Sequence, residues 1–387
     1  MKTKTFALGI VVLFIVSSLS ILVTISQEPV LSQEAPVLRS HASVYYSGVE
    51  RTWDAGSAGD ASLPANWDPV GVPDTGDNIT FDGTSVFNCT WNVEVTLGDF
   101  GILDGYTGVV TISVNIGGNG NTVINNGTFA GSALYYWTQN GNFTVDTAAT
   151  MSGGWFNLIM TQDDTTAVVG KGISVDCTIK SLDVRANITL TPVDGHSLGV
   201  RFNYAGSSSL IIAEGKTLTL SHGLYFYTAS VSSVWDNQGL IQATAGHNVN
   251  IRMFSYDFTF DFGDIDADVT FLSLASVTGS YTIYLDSDTL FQKDLYVYSG
   301  HATNTVGLNC NGYDLTVGEI LTLGTRGIID ARNSTITVGE YIQSGTGSVF
   351  TQNGTFIDAG DFTVSAGVFN ALGDMTVKSP ASMKVPF

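Results

Sequence analysis

The sequence predicts an all-β protein: a parallel, right-handed β-solenoid with coils of roughly 21 residues, preceded by a hydrophobic N-terminal export helix. Residues between Gly312 and Asp361 recur at this interval, and self-similarity at a fixed short period is typical of stacked repeats. The same stretch is rich in Thr, Val, Ile, Tyr, Phe and Gly, which suit short strands and tight turns. No window shows a helical period. The recurring positions are Leu315, Ile336 and Ile357; Val317 and Val338; Gly318, Gly339 and Gly360; Gly324 and Gly345; Ile328 and Val349; and Ile329 and Phe350.

The composition is typical of secreted β-rich proteins. The 387 residues include 43 Gly and only 8 Pro, and charged residues make up 13% of the chain, well below the usual quarter. Thr, Ser, Asn and Gly must therefore cover much of the surface. The formal net charge of −20 argues against nucleic acid as a partner and favours divalent or other cations. The simpler explanation of the acidity is the solubility of an extracellular protein.

The N-terminus predicts export. Lys2 and Lys4 precede an apolar run from Phe6 to Ile25. Residues 1–27 are therefore either a cleaved signal peptide or an uncleaved signal anchor that attaches the chain to a membrane. Because the positive charges lie on the N-terminal side, the remainder is expected outside the cell. Residues 28–50 show no clear period and are predicted to be a spacer.

Residues 51–84 are predicted to cap the N-terminal end of the solenoid. They contain Thr52-Trp53-Asp54-Ala55-Gly56, then Asn66-Trp67, then Pro73-Asp74-Thr75-Gly76-Asp77, then Phe81-Asp82-Gly83. This pattern resembles the opening of exported bacterial and archaeal surface proteins with autotransporter-like β-helical repeats. The resemblance implies a first coil whose tryptophans close the core. An open coil end exposes apolar side chains and strand edges, which need a cover. Stacking of a sugar ring on Trp53 or Trp67 is the alternative.

Residues 85–375 are predicted to form the solenoid itself. Runs such as Val109–Val114 and Asn187–Thr191 alternate apolar and polar residues, and Gly- and Asn-rich turns separate them. Residues 376–387 contain Lys378 and Pro380, which would stop further stacking, and are predicted to be a C-terminal cap or tail.

Cys89, Cys177 and Cys310 are far apart and have no metal-binding or redox spacing. At most one disulfide can join them. The histidines are also scattered, at His41, His196, His222, His247 and His301. Arg185, Arg201 and Arg252, the basic candidates within the solenoid, are isolated from one another in sequence.

Two acidic sets are candidate Ca²⁺ sites. Glu319, Glu340 and Asp361 share one position of the repeat, so one coil per period would stack them about 4.8 Å apart. Stacked like charges repel, and a bound cation would reverse this because Ca²⁺ prefers carboxylate oxygens. The alternative is three acidic side chains that point into water after a turn glycine.

The second acidic set is Asp264, Asp266 and Asp268, with Asp257 and Asp261 nearby. Alternate residues of a strand share one face, so the three carboxylates are expected on one side. The set lacks the Gly and Glu of an EF-hand, and a solvent-exposed structural role is the alternative. No cofactor is required by the sequence, and Ca²⁺ is the one that these residues would suit.

Glycosylation sequons are candidate modification sites in an exported chain. They begin at Asn78, Asn88, Asn126, Asn142, Asn187, Asn333 and Asn353. Their number is little above chance, because Ser and Thr are abundant.

The features together predict a non-catalytic extracellular cell-surface protein, structural or adhesive, with cell-surface glycans or other surface proteins as partners. The alternatives are an extracellular polysaccharide lyase or glycosidase, or a carbohydrate-binding module on a β-helix. No catalytic fingerprint is present, and fold by itself does not establish an activity. A cleft with a base and converging acids would favour an enzyme, whereas rows of aromatic side chains would favour sugar binding.

Overall fold

The computed structural model describes residues 48–377, except 132–133, 153–156, 171–176, 194–198, 203–206, 229, 274–278 and 359. These residues form a parallel β-solenoid of about 12 turns. The described strands are numbered β1 to β41 in chain order, and a short 3-10 helix covers Pro64–Asn66. No helix within the described ranges is long and apolar enough to span a membrane.

The strands stack into three faces, because successive strands of a coil turn from one face to the next. Face 1 contains β1 (Glu50–Trp53), β4 (Asn78–Phe81), β7 (Phe100–Ile102), β10 (Thr122–Ile124), β13 (Phe143–Val145), β16 (Thr165–Val169), β19 (Ile188–Pro192), β22 (Thr217–Leu220), β25 (Leu240–Ala243), β28 (Asp264–Asp266), β31 (Thr289–Phe291), β38 (Thr355–Asp358) and β41 (Asp374–Val377). Face 2 contains β2 (Gly59–Asp60), β5 (Cys89–Trp91), β8 (Val109–Ile112), β11 (Thr128–Ala130), β14 (Thr150–Ser152), β17 (Cys177–Ile179), β20 (Val200–Phe202), β23 (Leu224–Thr228), β26 (Asn248–Met253), β29 (Asp268–Ser273), β32 (Leu295–Ser299) and β39 (Phe362–Val364).

Face 3 completes each coil. It contains β6 (Thr96–Leu97), β9 (Ile116–Gly118), β12 (Tyr136–Gln139), β15 (Asn157–Met160), β18 (Ser181–Val184), β21 (Ser209–Ile212), β24 (Val234–Asn237), β27 (Phe258–Phe260), β30 (Tyr281–Leu285), β33 (Val306–Asn309), β35 (Gly327–Ala331), β37 (Val349–Gln352) and β40 (Val368–Ala371). Two long strands, β34 (Leu315–Leu323) and β36 (Thr335–Gln343), run from face 1 into face 2. Near the N-terminus, β3 (Trp67–Asp68) pairs antiparallel with β1.

Alternating inward and outward side chains build the core. In β13, Phe143 and Val145 are buried, and Thr144 between them faces outward, as expected for a strand with one buried side. Parallel pairing repeats the alternation from coil to coil, so Val145 lies opposite Ile124. The inward residues consequently form one continuous core that extends along the solenoid from Trp53 to Val364.

Asparagine and aspartate side chains join successive coils at the corner between faces 3 and 1. Asn78 Oδ1 accepts a hydrogen bond from the Asp99 N–H at 2.7 Å, and Asp99 Oδ1 accepts one from the Asn121 N–H at 2.6 Å. The row continues through Asn121 to Asn142 and from Asn142 to Thr166. Each bond supplies an acceptor for a backbone N–H at a turn and contributes on the order of 1 kcal/mol.

The coils differ in length. Leu315 lies opposite Ile336, a step that equals the repeat seen in the sequence, whereas Ile188 lies opposite Leu218, a much longer step along the chain. Near the C-terminus, Phe356 lies opposite Met375, and this step is shorter than the repeat. Pairing constrains the strands but not the corners, so the corners absorb the difference. Longer and unequal corners hide the repeat in the middle of the chain.

The repeat between Gly312 and Asp361 corresponds to stacked coils. Val317 lies opposite Val338, and Ile329 lies opposite Phe350, as the recurring positions predict. The recurring glycines also stack, because a Cβ atom on Gly339 would lie only 2.5 Å from the carbonyl oxygen of Gly318. The glycines therefore recur because the backbones of neighbouring coils approach too closely for a side chain.

The predicted equivalence of Ile357 with Ile336 is wrong. Phe356 lies opposite Ile336 and is buried, whereas Ile357 lies opposite Thr337 and faces outward. The step is therefore shorter than the repeat by a single position here, and it returns to the full repeat between Tyr341 and Phe362. A shift of one residue moves every side chain of a strand to the other side, so the apolar Phe356 fixes the register.

Aromatic side chains fill the N-terminal end of the core. Trp53 and Trp67 are 0% and 1% exposed, and their rings pack edge to face with centroids 5.1 Å apart. Each indole N–H has a backbone acceptor: Trp53 Nε1 donates to the Phe87 carbonyl and Trp67 Nε1 to the Ala61 carbonyl. Neither ring is accessible, so these tryptophans do not offer a stacking surface to a sugar.

A largely buried ion pair holds the first coil to the second. Arg51 Nε donates to Asp77 Oδ2 at 2.5 Å, and Asp77 also accepts backbone hydrogen bonds from Val49 and Asp74. Burial raises the pKa of Asp77, but these hydrogen bonds outweigh it, and the pKa lies below its ordinary value. Asp77 belongs to the Pro-x-x-Gly-Asp motif, so this motif has a structural role in the first coil.

The export segment 1–27, almost all of the spacer 28–50 and most of the tail 376–387 lie outside the described residues. The three cysteines form no disulfide, and all three are buried. Burial raises the pKa of the Cys89 and Cys310 thiols, so both thiols are neutral and act as small apolar core residues.

Candidate functional site

The two predicted acidic sets belong to one corner, between faces 1 and 2. Lys293 lies between them, with its Nζ atom 3.5 Å from Glu319 Oε1 and 3.9 Å from Asp266 Oδ1. A lysine therefore neutralises one carboxylate of each set. The side chains are largely exposed, so each pair contributes about 0–1 kcal/mol.

The carboxylates of the first set do not stack as a simple ladder. A register shift lies between Val317 and Ile320, and Ile320 rather than Glu319 is opposite Glu340. The step from the coil of Glu340 to the coil of Asp361 is regular, because the Tyr341 N–H donates to the Asp361 carbonyl. Glu319 is consequently displaced along the strand relative to Glu340 and Asp361.

The second set is divided between two strands. Asp264 and Asp266 belong to β28, Asp268 begins β29, and the buried Ala267 turns the corner between them. Two neighbouring acids have structural contacts: Asp257 accepts from the Thr282 N–H and Asp261 from the Ser287 hydroxyl. In the described part of the chain, no three His, Cys, Asp or Glu side chains converge closely enough to hold a metal ion.

The sequon asparagines lie at corners, where most of their side-chain oxygens join coils. Asn187 shows the pattern: its Oδ1 accepts from the Thr217 N–H, Ile188 points inward and Thr189 outward. A corner Asn, an inward apolar residue and an outward Thr together form the sequence of a sequon. The repeating structure of the coils therefore produces sequons without any need for glycosylation. Acceptors for a backbone N–H of an adjacent coil are Asn78, Asn88, Asn142, Asn187 and Asn353. Asn126 instead accepts from its neighbour Gly127, and the Asn333 N–H donates to Asn353.

Two of the scattered histidines meet at the corner between faces 1 and 2. The rings of His222 and His247 stack with centroids 4.8 Å apart, and burial together with His247 lowers the pKa of His222. His301 has a turn role, since its Nδ1 accepts from the Thr303 and Asn304 N–H groups. His41 and His196 lie outside the described residues.

Face 2 carries a cluster that the sequence analysis missed. Two rows of outward side chains cross its central strands from β20 to β32, and we call their aromatic and basic members the Tyr–Arg patch. The patch consists of Arg201, Tyr225, Tyr227, Arg252, Tyr296 and Tyr298. Parallel pairing aligns these rows, because Tyr227 lies opposite Arg252, Arg252 opposite Leu272, and Leu272 opposite Tyr298.

Arg252 is the centre of one half of the patch. Its guanidinium lies over the Tyr225 ring, 4.5 Å from the centroid, and 5.5 Å from the centroid of Tyr227. Its Nη1 atom also donates to the Tyr227 hydroxyl at 2.9 Å. The Arg201 guanidinium lies 5.7 Å from the same Tyr227 ring. Two arginines that are far apart in sequence thus flank one tyrosine.

Tyr296 and Tyr298 form the other half of the patch. Their rings stack with centroids 4.4 Å apart, and Tyr296 is 37% exposed. Gly324 in the next coil makes room for Tyr296, because a Cβ atom there would lie 2.7 Å from the Tyr296 hydroxyl. Successive strands lie about 4.8 Å apart, so the Tyr298 position is about 10 Å from the Arg252 position across Leu272.

Arg252 and Arg326 form no ion pair among the described residues, unlike three other arginines of this acidic chain. Arg51, Arg185 and Arg332 each contact an aspartate. Within the described residues, Arg252 has no carboxylate within salt-bridge distance, and its contacts are to tyrosines. The patch therefore offers an arginine whose charge is not matched by a neighbouring acid.

A sequence signal for the patch does exist. Tyr-x-Tyr occurs at Tyr225–Tyr227 and again at Tyr296–Tyr298, and each occurrence alternates with buried apolar residues. Alternation predicts that both tyrosines of a pair face outward. In the structure, however, Tyr227 is only 4% exposed. The sequence could not show that the two pairs and the two arginines share one face, because unequal corners separate them.

The outward rows of face 2 carry aromatic, basic and polar side chains. Between Tyr225 and Tyr298 their remaining members are Asn250, Thr270 and Leu272, with no carboxylate or histidine in either row. Aromatic rings and guanidinium groups suit stacking and hydrogen bonding, and the tyrosine hydroxyls are the groups of the patch that could transfer a proton. Comparison with protein-family models, curated proteins and solved structures found no match for this chain.

Proposed function

We propose that the protein is a non-catalytic extracellular cell-surface protein, structural or adhesive, in which the solenoid presents flat faces to other surface molecules. The observation that carries the proposal is the Tyr–Arg patch, an aromatic and basic surface on the flat side of a sheet. Tyrosine and arginine are enriched in binding surfaces because they combine contact area with hydrogen bonding. Cell-surface glycans or other surface proteins would be the partners.

The other two faces support a structural role. Shallow depressions on faces 1 and 3 are lined mainly by Thr, Asn and Gly, as at Asn187 and Thr217 on face 1 and at Gly117 and Thr138 on face 3. These side chains hydrate well and leave the sheet flat. A long solenoid with such faces suits a spacer or support at a cell surface.

The export and architectural parts of the proposal come from the sequence. Residues 1–27 would direct export and, if retained, would anchor the chain in a membrane. The resemblance of residues 52–83 to the opening of autotransporter-like surface proteins supports the same location. The proposal includes a right-handed solenoid with a basic coil of roughly 21 residues.

A carbohydrate-binding module is the second candidate, because the exposed Tyr296 ring, with Tyr298 stacked on it, suits a sugar ring. A lyase or glycosidase is the remaining alternative.

Two measurements on the full chain test the proposal. An epitope placed after Phe387 should be labelled by antibody on intact cells, and cell-wall polysaccharide incubated with the purified chain should release no new reducing ends or unsaturated products. Labelling that requires lysis would contradict the location, and steady product release would contradict the non-catalytic role.

A further inference from the structure

We propose that the Tyr–Arg patch binds a polysaccharide that carries carboxylate groups, with sugar rings on Tyr296 and Tyr298 and a carboxylate on Arg252. This inference rests on the proposed adhesive function and specifies its ligand. Three features of the patch support it: the unmatched charge, the aromatic surface and the spacing between them.

The positive charge of Arg252 would attract an anionic group locally, although the chain as a whole is acidic and would repel a polyanion elsewhere on its surface. The formal net charge of the chain is −20, and Arg51, Arg185 and Arg332 all contact aspartates. Arg252 is held by Tyr225 and Tyr227 instead. A guanidinium remains charged at all ordinary pH values and can donate two parallel hydrogen bonds to one carboxylate. Arg252 Nη1 donates to the Tyr227 hydroxyl and Nε is buried without a hydrogen-bond partner, so the remaining Nη hydrogens are the donors left for a ligand.

The tyrosines favour a ligand with flat apolar faces. Tyr296 is exposed and stacks on Tyr298, so the two rings form a rigid surface without a charged group of their own. Sugar rings present C–H groups on one side, which suit an aromatic face. The intervening outward residue Thr270 adds a hydroxyl group that can hydrogen bond to a sugar hydroxyl.

The spacing suits a polymer better than a single sugar. Tyr298 and Arg252 are separated by two strand spacings, about 10 Å, with only Leu272 between them in the row. A chain that crosses the strands can therefore contact both ends of the patch at once. The acidic corner at Asp266 and Glu319 lies beyond the start of these strands, where Lys293 partly neutralises it. The polymer is thus expected on the Tyr–Arg side of face 2.

Binding of polygalacturonate to the full chain, measured by calorimetry, tests the proposal. Its fully methyl-esterified form is the matched neutral ligand, because it keeps the sugar backbone and removes the charge. We expect the acidic polymer to bind at least ten times more tightly than the ester and to bind more weakly as salt is raised. We expect Arg252→Gln to weaken binding at least tenfold and Tyr296→Ala with Tyr298→Ala to weaken it by a similar factor.

Matched controls lie on face 3. Arg185→Gln removes an exposed arginine that is paired with Asp183, and Tyr284→Ala removes an outward tyrosine of β30. Both should leave binding unchanged. All altered side chains point outward, and melting curves by circular dichroism check that each variant remains folded. Arg252→Lys keeps the charge without the planar fork and should restore only part of the affinity.

Three outcomes would overturn the inference. Equal binding of the acid and the ester would exclude a carboxylate ligand. Wild-type affinity in folded Arg252→Gln and Tyr296→Ala/Tyr298→Ala variants would exclude the patch as the site. Self-association of the chain that these variants abolish, without any effect on polymer binding, would assign the patch to a second copy of the protein. Surface labelling of intact cells is independent of all three, so the proposed location could stand while the ligand fails.

Discussion

The stretch from Gly312 to Asp361 and the stretch from Val200 to Ser299 are built on the same three faces but differ in what their residues do. In the C-terminal stretch, corners are short, glycines stack and the period is visible in the sequence. In the middle stretch, the coils are longer, as between the paired residues Ile265 and Phe291, and outward positions carry tyrosine and arginine. The clearest repeat therefore marks the regular part of the scaffold, and the candidate site lies where the repeat is degenerate.

The largest effect is expected from removing a core ring of the regular stretch. Tyr341 is 0% exposed and packs against Phe350, Phe356 and Phe362. Tyr341→Ala should destabilise the chain by about 3–5 kcal/mol, seen as a lower melting temperature by circular dichroism. Tyr296→Ala in the middle stretch should cost much less, because Tyr296 is exposed. Equal losses from the two variants would contradict the division between scaffold and site.

Asp358 offers a pH test within the regular stretch. Its side chain is buried, and its Oδ2 has no hydrogen-bond partner. Burial raises the pKa of Asp358, and the charge of Asp361 raises it further. The hydrogen bond from the Gly360 N–H lowers the pKa but does not outweigh these two causes. The folded state therefore binds this proton more tightly than the unfolded state, so the wild type loses stability as pH rises through the raised pKa. Asp358→Asn should raise the stability at neutral pH by about 1 kcal/mol.

That advantage should shrink as pH falls from neutral towards the ordinary carboxyl pKa of about 4, because Asp358 then becomes protonated. Thermal melts of both proteins between these pH values measure the effect. Asp374→Asn, which alters an exposed aspartate of β41, is the control and should show little change. An advantage of Asp358→Asn that grows on acidification would contradict the assigned cause.

The corner asparagine Asn353 separates a structural role from glycosylation. Its Oδ1 accepts the Asn333 N–H at 2.6 Å. Asn353→Ala removes both this acceptor and the sequon, and it should cost about 1 kcal/mol. Asn353→Asp keeps an acceptor oxygen and Thr355→Ala keeps the asparagine, and each removes the sequon.

Melting temperatures of the unglycosylated proteins should therefore fall for Asn353→Ala alone. A mass shift on gels of protein from an exporting host would report whether the sequon is used. A loss of stability in Thr355→Ala equal to that in Asn353→Ala would mean that the corner bond is not the cause.

The smallest effect is expected from Ca²⁺. Lys293 contacts Glu319, and the register displaces Glu319 from Glu340, so we expect chelation to shift the stability by no more than a weak surface pair would, about 0–1 kcal/mol. Melting curves with and without chelator measure it, and a variant with Ser at Glu319, Glu340 and Asp361 is the control. A marked loss on chelation that this variant abolishes would show that the corner binds a cation after all.

Much of the fold was predictable from local patterns. Alternation of apolar and polar residues indicated the strands, and the recurring Gly318, Gly339 and Gly360 identified a corner where backbones approach closely. The buried tryptophans of the first coil were also recognisable from their motifs. Ile357 was assigned to the inward side because the step from Ile336 to its partner Phe356 is one residue shorter than the repeat. The composition of the repeat does not show that this residue is missing from a corner.

The candidate site was much less predictable. Arg201 and Arg252 looked isolated, and only the stacking of unequal coils brought them to opposite sides of Tyr227. Asp266 and Glu319 looked like members of separate sites, yet one lysine contacts both. In each case the sequence did not reveal how many residues a corner contains. Hydrogen-bonded pairing sets the register of the strands but not the length of the corners between them.

The sequence by itself determined most of the side chains that point inward, because a strand has a period of two and its apolar residues must leave water. It thereby determined a stacked, all-β architecture with a continuous core. The tertiary structure alone decided which outward residues become neighbours, since that depends on the register between coils of different length. The core of this protein is therefore encoded locally, whereas its Tyr–Arg patch exists only once the coils are stacked.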